Sequence, residues 1–402
     1  PTGGSGSAGG GRGGASGGAA GPAGSGAVSG DTTGVTDGKI VVGVHAPLTG
    51  AAPLRQESFN AGKDLFWKYG NGGKPVTVFG RKVEVIFRDD QYNPSHARLV
   101  CQEMAERGNA FLLIGGGGTD QIQACAQYAA SKQIPYLSAG VTEAGLRQLP
   151  NYFAASKSYP QQATMLATYI KKHLGVTDAS RVAAVITNTP NFDDTVQAFA
   201  RAFPGVRIFR PDKNERGSSM AGNLCTGTVK NFDVVFPLAA PTYYLEMASA
   251  AACRPLYAGV GISMGLDQVA STGCEANGAT ANARFFSPAP SFEDVRRGKW
   301  DPNFVRAARA AGVEPDDVMW LFWGQSRVLY ELLVKAGRNL NREGFIASTS
   351  QASVRTGVYP DLRYTPSDHF GAQHVHVLRN VCRPRGDQSG YYITEGAFVS
   401  RF

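Results

Sequence analysis

From Lys39 onward the chain alternates short β-branched runs with stretches of helical periodicity, and this alternation begins twice. The first series opens with KIVVGV at 39–44 and then places Phe59, Gly62, Phe66 and Tyr69 at helical spacing. It continues with VEVIF at 83–87, a helix at 97–107, FLLIG at 111–115, a helix carrying Ile122, Cys125 and Ala129, and PYLS at 135–138. A helix at 161–174 begins the second series, which runs through VAAVIT at 182–187, VRIF at 206–209, DVVFP at 233–237 and PLYAGVG at 255–261. Strands alternating with helices of about 10–15 residues call for parallel sheets covered by helices on both faces. The expected fold class is therefore α/β, with two doubly wound lobes and a cleft between them. The 402 residues suit two such units at ~150 residues each.

The last hundred residues add no third lobe. Residues 303–311 and 317–337 read as helices, the second rich in Met319, Trp320, Leu321, Phe322 and Trp323. The period-two stretch His374-Val375-His376-Val377-Leu378 is expected to complete an existing sheet.

Residues 1–38 are a different material, with 16 glycines, one arginine and two aspartates. Such a segment cannot bury enough apolar surface to offset its ordering entropy, so a flexible tether is expected. No charged start followed by an apolar core marks a signal peptide, and the chain reads as a mature exported product held near a membrane by its N-terminus. No stretch reaches the roughly 18 apolar residues of a membrane span. The formal charge is +8, but the basic residues fall in scattered pairs such as Arg81-Lys82, Lys171-Lys172 and Arg296-Arg297. That pattern is a solvated surface rather than a nucleic-acid face, and an acidic ligand is compatible with it.

Six cysteines, Cys101, Cys125, Cys225, Cys253, Cys274 and Cys382, contain no C-x-x-C and no zinc spacing. An even set of this kind suits three disulfides in an oxidising, extracytoplasmic compartment, with 15 pairings open to six cysteines. No metal and no cofactor are expected.

The chain resembles the branched-chain amino-acid type of ABC-transporter solute-binding proteins, the leucine/isoleucine/valine-binding family with the type I periplasmic-binding-protein fold. The likeness rests on Lys39-Ile40-Val41-Val42-Gly43-Val44 with Pro47-Leu48-Thr49-Gly50, then Ala61-Gly62, Gly80-Arg81-Lys82, Arg88-Asp89-Asp90 with Asn93-Pro94, Ile114-Gly115, Ile134-Pro135-Tyr136 and the Ser138–Thr142 turn. The resemblance covers nearly everything from Lys39 to about Asp368, in order and at family spacing. The resemblance implies two lobes joined by three crossing strands: 39–157 plus 288–357, and 158–285 plus 358–402. It implies a Cys101–Cys125 bridge in the first lobe, and Cys225–Cys253 with Cys274–Cys382 in the second. It further implies a monomeric receptor that closes on a small molecule, delivers it to permease and ATPase subunits, and catalyses nothing.

Ligands of open α/β sheets bind beyond the carboxyl ends of the strands. That rule selects Gly115-Gly116-Gly117-Gly118-Thr119-Asp120, where glycines allow close backbone approach and a helix start offers free N–H groups. The resemblance adds the Gly140 backbone and Thr142 on the same side. From the second lobe it adds Phe192 as an aromatic lid, Ala240, and Gly261-Ile262. It also exposes departures. Gly261 stands where the amino-acid binders hold a glutamate against the ligand's ammonium, Ala240 replaces an aromatic, and Arg55 lies near a family tyrosine. A buried ammonium without a countercharge is costly. Unless Asp120, Asp193 or Asp194 substitutes, the expected ligand is a carboxylate or other anion, bulkier or aromatic, with Arg55 as a further partner.

Other readings compete. Gly261-Ile262-Ser263-Met264-Gly265 matches the G-x-S-x-G nucleophile elbow, and Asp316, Asp317, His369 and His374 follow in hydrolase order. A ligand-sensing receptor domain keeps the same fold, but such modules usually continue into a membrane span or effector, and neither follows here. His374 and His376 share one strand face, where solvent-facing histidines are expected rather than a metal pair. Arg385-Gly386-Asp387 reads as a turn, and no G-x-G-x-x-G supports a dinucleotide enzyme.

Overall fold

In the computed structural model, residues 29–50 and 54–398 are described. The first sheet comprises β1 (Lys39–Ala46), β2 (Thr77–Val78), β3 (Arg81–Asp89), β4 (Leu112–Gly115), β5 (Tyr136–Ser138) and β6 (Tyr152–Ala154), in the order β2-β3-β1-β4-β5-β6. All its pairs are parallel except β2 with β3. β1 is buried from Ile40 to Ala46, as a strand covered on both faces must be. Helices α1 (Gln56–Tyr69), α2 (Pro94–Glu106) and α3 (Thr119–Ser131) connect these strands. Asn93 starts α2 by accepting from the N–H groups of Ser95 and His96, with Pro94 at the first helical position.

The second sheet is larger. Its strands are β7 (Val182–Ile186), β8 (Arg207–Phe209), β11 (Val234–Leu238), β12 (Leu256–Gly259), β13 (Arg284–Ser287), β16 (Val375–Val381) and β17 (Tyr391–Phe398), in the order β17-β16-β13-β12-β11-β7-β8. The five central and early strands pair in parallel, and β16 and β17 close the edge antiparallel. Two short ribbons, β9 (Cys225–Thr226) with β10 (Val229–Lys230) and β14 (Ser353–Val354) with β15 (Leu362–Arg363), lie outside the sheets. The remaining helices are α4 (Tyr159–His173), α5 (Asp193–Ala202), α6 (Ala221–Leu224), α7 (Pro241–Ala250), α8 (Asp267–Glu275), α9 (Phe292–Arg296), α10 (Pro302–Ala311), α11 (Asp317–Ala336) and α12 (Arg342–Thr349). α11 packs its aromatics edge-on against α1 and α10: Phe322 on Phe59 at 4.8 Å, Trp323 on Phe66 at 5.2 Å, and Trp320 on Phe304 at 5.1 Å.

The expected two-lobed α/β architecture is present, with helices and strands where periodicity placed them. Two segments pack on the other lobe from the one the expected bounds give them. α9 sits against β17 on the second sheet, and residues 353–372 stay with the first, where Phe370 bridges Ala154 and Leu362 pairs with Val354. Most of residues 1–38 lies outside the described residues, but 31–38 are docked on the first lobe. The buried Arg342 guanidinium binds Asp31 at 2.6 Å and donates to the carbonyls of Ala110 and Phe111, while Val41 N–H donates to Gly34. The three disulfides join Cys101 to Cys125, Cys225 to Cys253 and Cys274 to Cys382, with Cα separations of 5.9, 5.6 and 5.3 Å.

Candidate functional site

Strand order reverses between β1 and β4 in the first sheet and between β7 and β11 in the second, and both switch points open into one cleft. The cleft has two chambers that share Gly118, Tyr159, Gly261 and Ser263. The inner chamber, about 70 Å³, is walled by Gly115–Gly118, Ile122, Val141, Leu321 and Phe322 from one side and by Ile262, Leu266 and Phe286 from the other. By the measure that assigns a water roughly 10–15 Å³, this is about five to seven waters' worth of space, the size of a ring or short alkyl chain. The outer chamber, about 340 Å³, is polar, with Tyr92, Thr119, Asp120, Thr187, Thr189 and Lys213 among its walls.

The glycine loop is built as an anion cradle. Gly118 caps α3 at φ +77°, a left-handed conformation that a side chain would strain. The N–H groups of Gly117 and Gly118 are taken by no described residue, whereas Gly116 N–H is spent on the His45 carbonyl at 2.7 Å. Behind the loop a buried chain runs from Asp90 through His45 to the Tyr136 hydroxyl, at 2.8 and 2.7 Å. His45 also approaches Cys101 and Cys125, the only His/Cys/acid cluster of metal-ligand geometry among the described residues. Both sulfurs are committed to a disulfide and both ring nitrogens to hydrogen bonds, so this cluster holds the loop rather than a metal.

Several expected contacts fall elsewhere. Phe192, Ala240, Gly261 and Ile262 line the cleft, and Phe192 stands 6.1 Å from Tyr159, ring to ring. Gly140 lines the inner chamber, but its N–H donates to Ser156 Oγ at 2.8 Å and is not free for a ligand. Thr142 is fully buried and lines neither chamber; its hydroxyl donates to Asp194 Oδ2 at 2.9 Å. Arg55 faces a separate side groove with Asp316, Asp317 and Arg385. That groove is cut off from the inner chamber by Leu54, Leu266 and Val318, because α1 starts on the outer flank of α11.

The acids offered as partners for an ammonium are already engaged, Asp194 and Asp120 across the cleft and Asp193 within the second lobe. Asp194 accepts across the cleft from Thr142 Oγ1, from Glu143 N–H at 2.7 Å and from Ala144 N–H at 3.3 Å. Asp120 is ion-paired with Lys213 and accepts from Asn191 Nδ2 at 2.6 Å, while Asp193 pairs with Arg210 at 2.9 Å. On the opposite flank Asp267 N–H donates to Asp317 at 2.7 Å. The Asp267 carboxylate accepts from Arg385 at 2.7 Å and from Tyr392 N–H at 2.8 Å. Burial, and then the facing Asp267 and Asp316, push Asp317 well above the usual carboxylate range; burial raises Asp267 as well.

Ser263 does line both chambers, but no histidine serves it. His369 Nδ1 is bound to the Tyr152 carbonyl at 3.0 Å, and His374 lies against His376 at 5.4 Å between rings. The nucleophile-elbow pattern is thus not accompanied by a catalytic dyad among the described residues. Of the pair expected to face solvent, His374 is half-exposed but His376 is not. His376 is buried beside Trp300, and loss of hydration holds its pKa down to about 3. Arg385-Gly386-Asp387 forms the expected turn, with Arg385 tying Glu293 to Asp267.

Residues 39–381 match the family described as periplasmic binding protein. The chain belongs to that family. Its members are extracytoplasmic binding proteins rather than enzymes, and they take small-molecule ligands as the solute-binding parts of ABC transporters. Among solved structures it is similar to a fatty acid ABC-transporter substrate-binding protein from Thermomonospora curvata, at 18% identity and TM-score 0.71, over 92% of this chain and 95% of that one. It is also similar to an ABC-transporter solute-binding protein from R. palustris in complex with 4-hydroxybenzoate, at 17% identity and TM-score 0.70, over 90% and 97%. A leucine-binding protein from Thermotoga maritima shares 15% identity at TM-score 0.67, over 89% and 98%. At these identities the likeness is one of fold. No curated protein sequence gives a significant match. No helix among the described residues is long and apolar enough to cross a membrane.

Tyr159, Ser263, Phe322, Gln325 and Lys213 are among the cleft residues that sequence reasoning missed as ligand or rim contacts. Tyr159 opens a helix just after the first crossing, and Phe322 sits inside a helix that reads as core. Nothing local distinguishes a core face from a cavity wall.

Proposed function

We propose that this periplasmic binding protein closes its lobes on a small monocarboxylate with an apolar body and passes it to an ABC importer. The observation that carries this reading is the inner chamber, whose walls contain no Asp, Glu, Lys, Arg or His among the described residues. An amino acid's ammonium would be buried there without a countercharge, at a cost of several kcal/mol. A carboxylate instead meets the free N–H groups of Gly117 and Gly118 at the positive end of α3. The fatty-acid and 4-hydroxybenzoate proteins of the same fold support an acid of this kind. Arg55, in its side groove, takes no part.

The hinge divides the chain near 157, 298 and 373, so that the first lobe is 39–157 with 299–372 and the second is 158–298 with 373–398. Residues 1–28, by composition, serve as a tether to a lipid-anchored N-terminus on the outer face of the membrane, and the receptor acts as a monomer.

A thermal-shift screen tests the reading. Benzoate, 4-hydroxybenzoate and octanoate should raise the melting temperature at saturating concentration, because each binds only the folded state. Leucine should not. Binding of leucine together with silence from all the acids overturns the proposal.

A further inference from the structure

Most polar groups in the inner chamber are spent within the protein. Ser156 accepts from Gly140 N–H at 2.8 Å, Gln162 Nε2 donates to the Lys157 carbonyl at 2.7 Å, and Tyr359 donates to the Leu321 carbonyl at 3.0 Å. The Gln325 amide is different: it lines the chamber and is hydrogen-bonded to no described residue. Its position is also out of pattern. Val318, Leu321, Phe322 and Gln325 fall at i, i+3, i+4 and i+7 of α11, so one stripe of that helix forms the chamber wall, and glutamine takes a place that the stripe's spacing gives to an apolar residue. α11 is clamped by the aromatic contacts of Trp320, Phe322 and Trp323, so the amide is presented from a rigid element.

We infer that Gln325 is a specificity-determining residue that reads a neutral hydroxyl on the apolar body of the ligand. The inference rests on the monocarboxylate reading and narrows it to hydroxylated acids. The carboxylate end has its own partners on the β4–α3 loop, and Gln325 comes from a different wall. An amide offers both a donor and an acceptor, which matches a hydroxyl in either orientation. A bare ring or alkyl chain in the same place would strip water from the amide and return nothing. A site built to bond a hydroxyl discriminates against the analogue lacking it for this reason.

Calorimetric titration of the full chain with paired probes, 4-hydroxybenzoate against benzoate and a hydroxylated octanoate against octanoate, tests it. The wild type should bind the hydroxylated member of a pair about tenfold more tightly, the effect of one net hydrogen bond. Gln325→Leu should lose that preference while binding the bare acid at least as well as wild type does. Gln325→Met, closer in shape, serves if the leucine variant does not fold. Acids that bind without preference, or a preference that survives both substitutions, overturn the role of Gln325 and leave the monocarboxylate reading standing. If no acid of either kind binds the wild type, the monocarboxylate reading falls, and this inference falls with it.

Discussion

Replacing Asp194 with alanine should loosen the closed cleft without unfolding either lobe. In the closed arrangement one carboxylate oxygen of this second-lobe residue accepts a hydroxyl at 2.9 Å, an N–H at 2.7 Å and a more distant N–H at 3.3 Å, all from the first-lobe loop 142–144. Hydrogen bonds to an ionised group contribute about 1.5–3 kcal/mol each. Asp194 is half-buried, so the low end applies, and the two short bonds together come to about 2–3 kcal/mol. They exist only when the lobes are together. Their loss should therefore lower the closed-to-open ratio, and with it ligand affinity, about 30- to 150-fold. Asp193→Ala is the control. It also removes an acid from the first turn of α5, but its partner Arg210 lies on the same lobe. Titration calorimetry gives the affinities, and small-angle scattering of the ligand-free proteins gives their extension. The reasoning is refuted if Asp194→Ala binds within threefold of Asp193→Ala and shows the same scattering profile.

Three further outcomes follow from the same geometry. Asp317→Asn should raise the melting temperature at pH 7: its carboxyl is pushed up in the folded state, so its favourable contribution is present below the ordinary carboxylate pKa and lost as pH rises through the folded value, which asparagine avoids. A variant no more stable than wild type at pH 7 would contradict this. His376 is held down to about 3 from 6.5, so the unfolded chain binds the extra proton first and stability falls with pH below 6.5, by about 2 kcal/mol at pH 5; His376→Gln should flatten the melting profile between pH 7 and 5. Gly140→Ala would drive a methyl into the Ser156 and Lys157 backbone carbonyls at the first crossing, and should cost about 2–4 kcal/mol of stability by denaturant titration; a stability equal to wild type would show that the crossing strand yields.

Much of the fold was legible because its signals are local and repeated. β1 announces a doubly covered parallel strand by five β-branched or small residues in a row, and α1, α2 and α3 announce themselves by apolar spacing. The glycine loop after β4 was legible too, since a strand, four glycines and a helix start leave few arrangements of the backbone. The short strands β6 and β13 were not, because three or four residues carry no period, and neither were the nine- and eight-residue helices α8 and α12, which take their form from neighbours already in place.

By itself the sequence determined that this chain makes two α/β lobes, that its cysteines suit an oxidising compartment, and that position 261 carries no acid for an ammonium. Only the tertiary structure decided where the lobes exchange, which acids lock them, and which side chains stand free in the cleft. Arg55 was a candidate ligand contact until packing put Leu54, Leu266 and Val318 in between, and Gln325 was an unremarked helix residue until its stripe became a cavity wall. The physical reason is range: backbone period is written in neighbours along the chain, whereas a binding site is made by residues hundreds of positions apart whose orientation depends on everything packed around them.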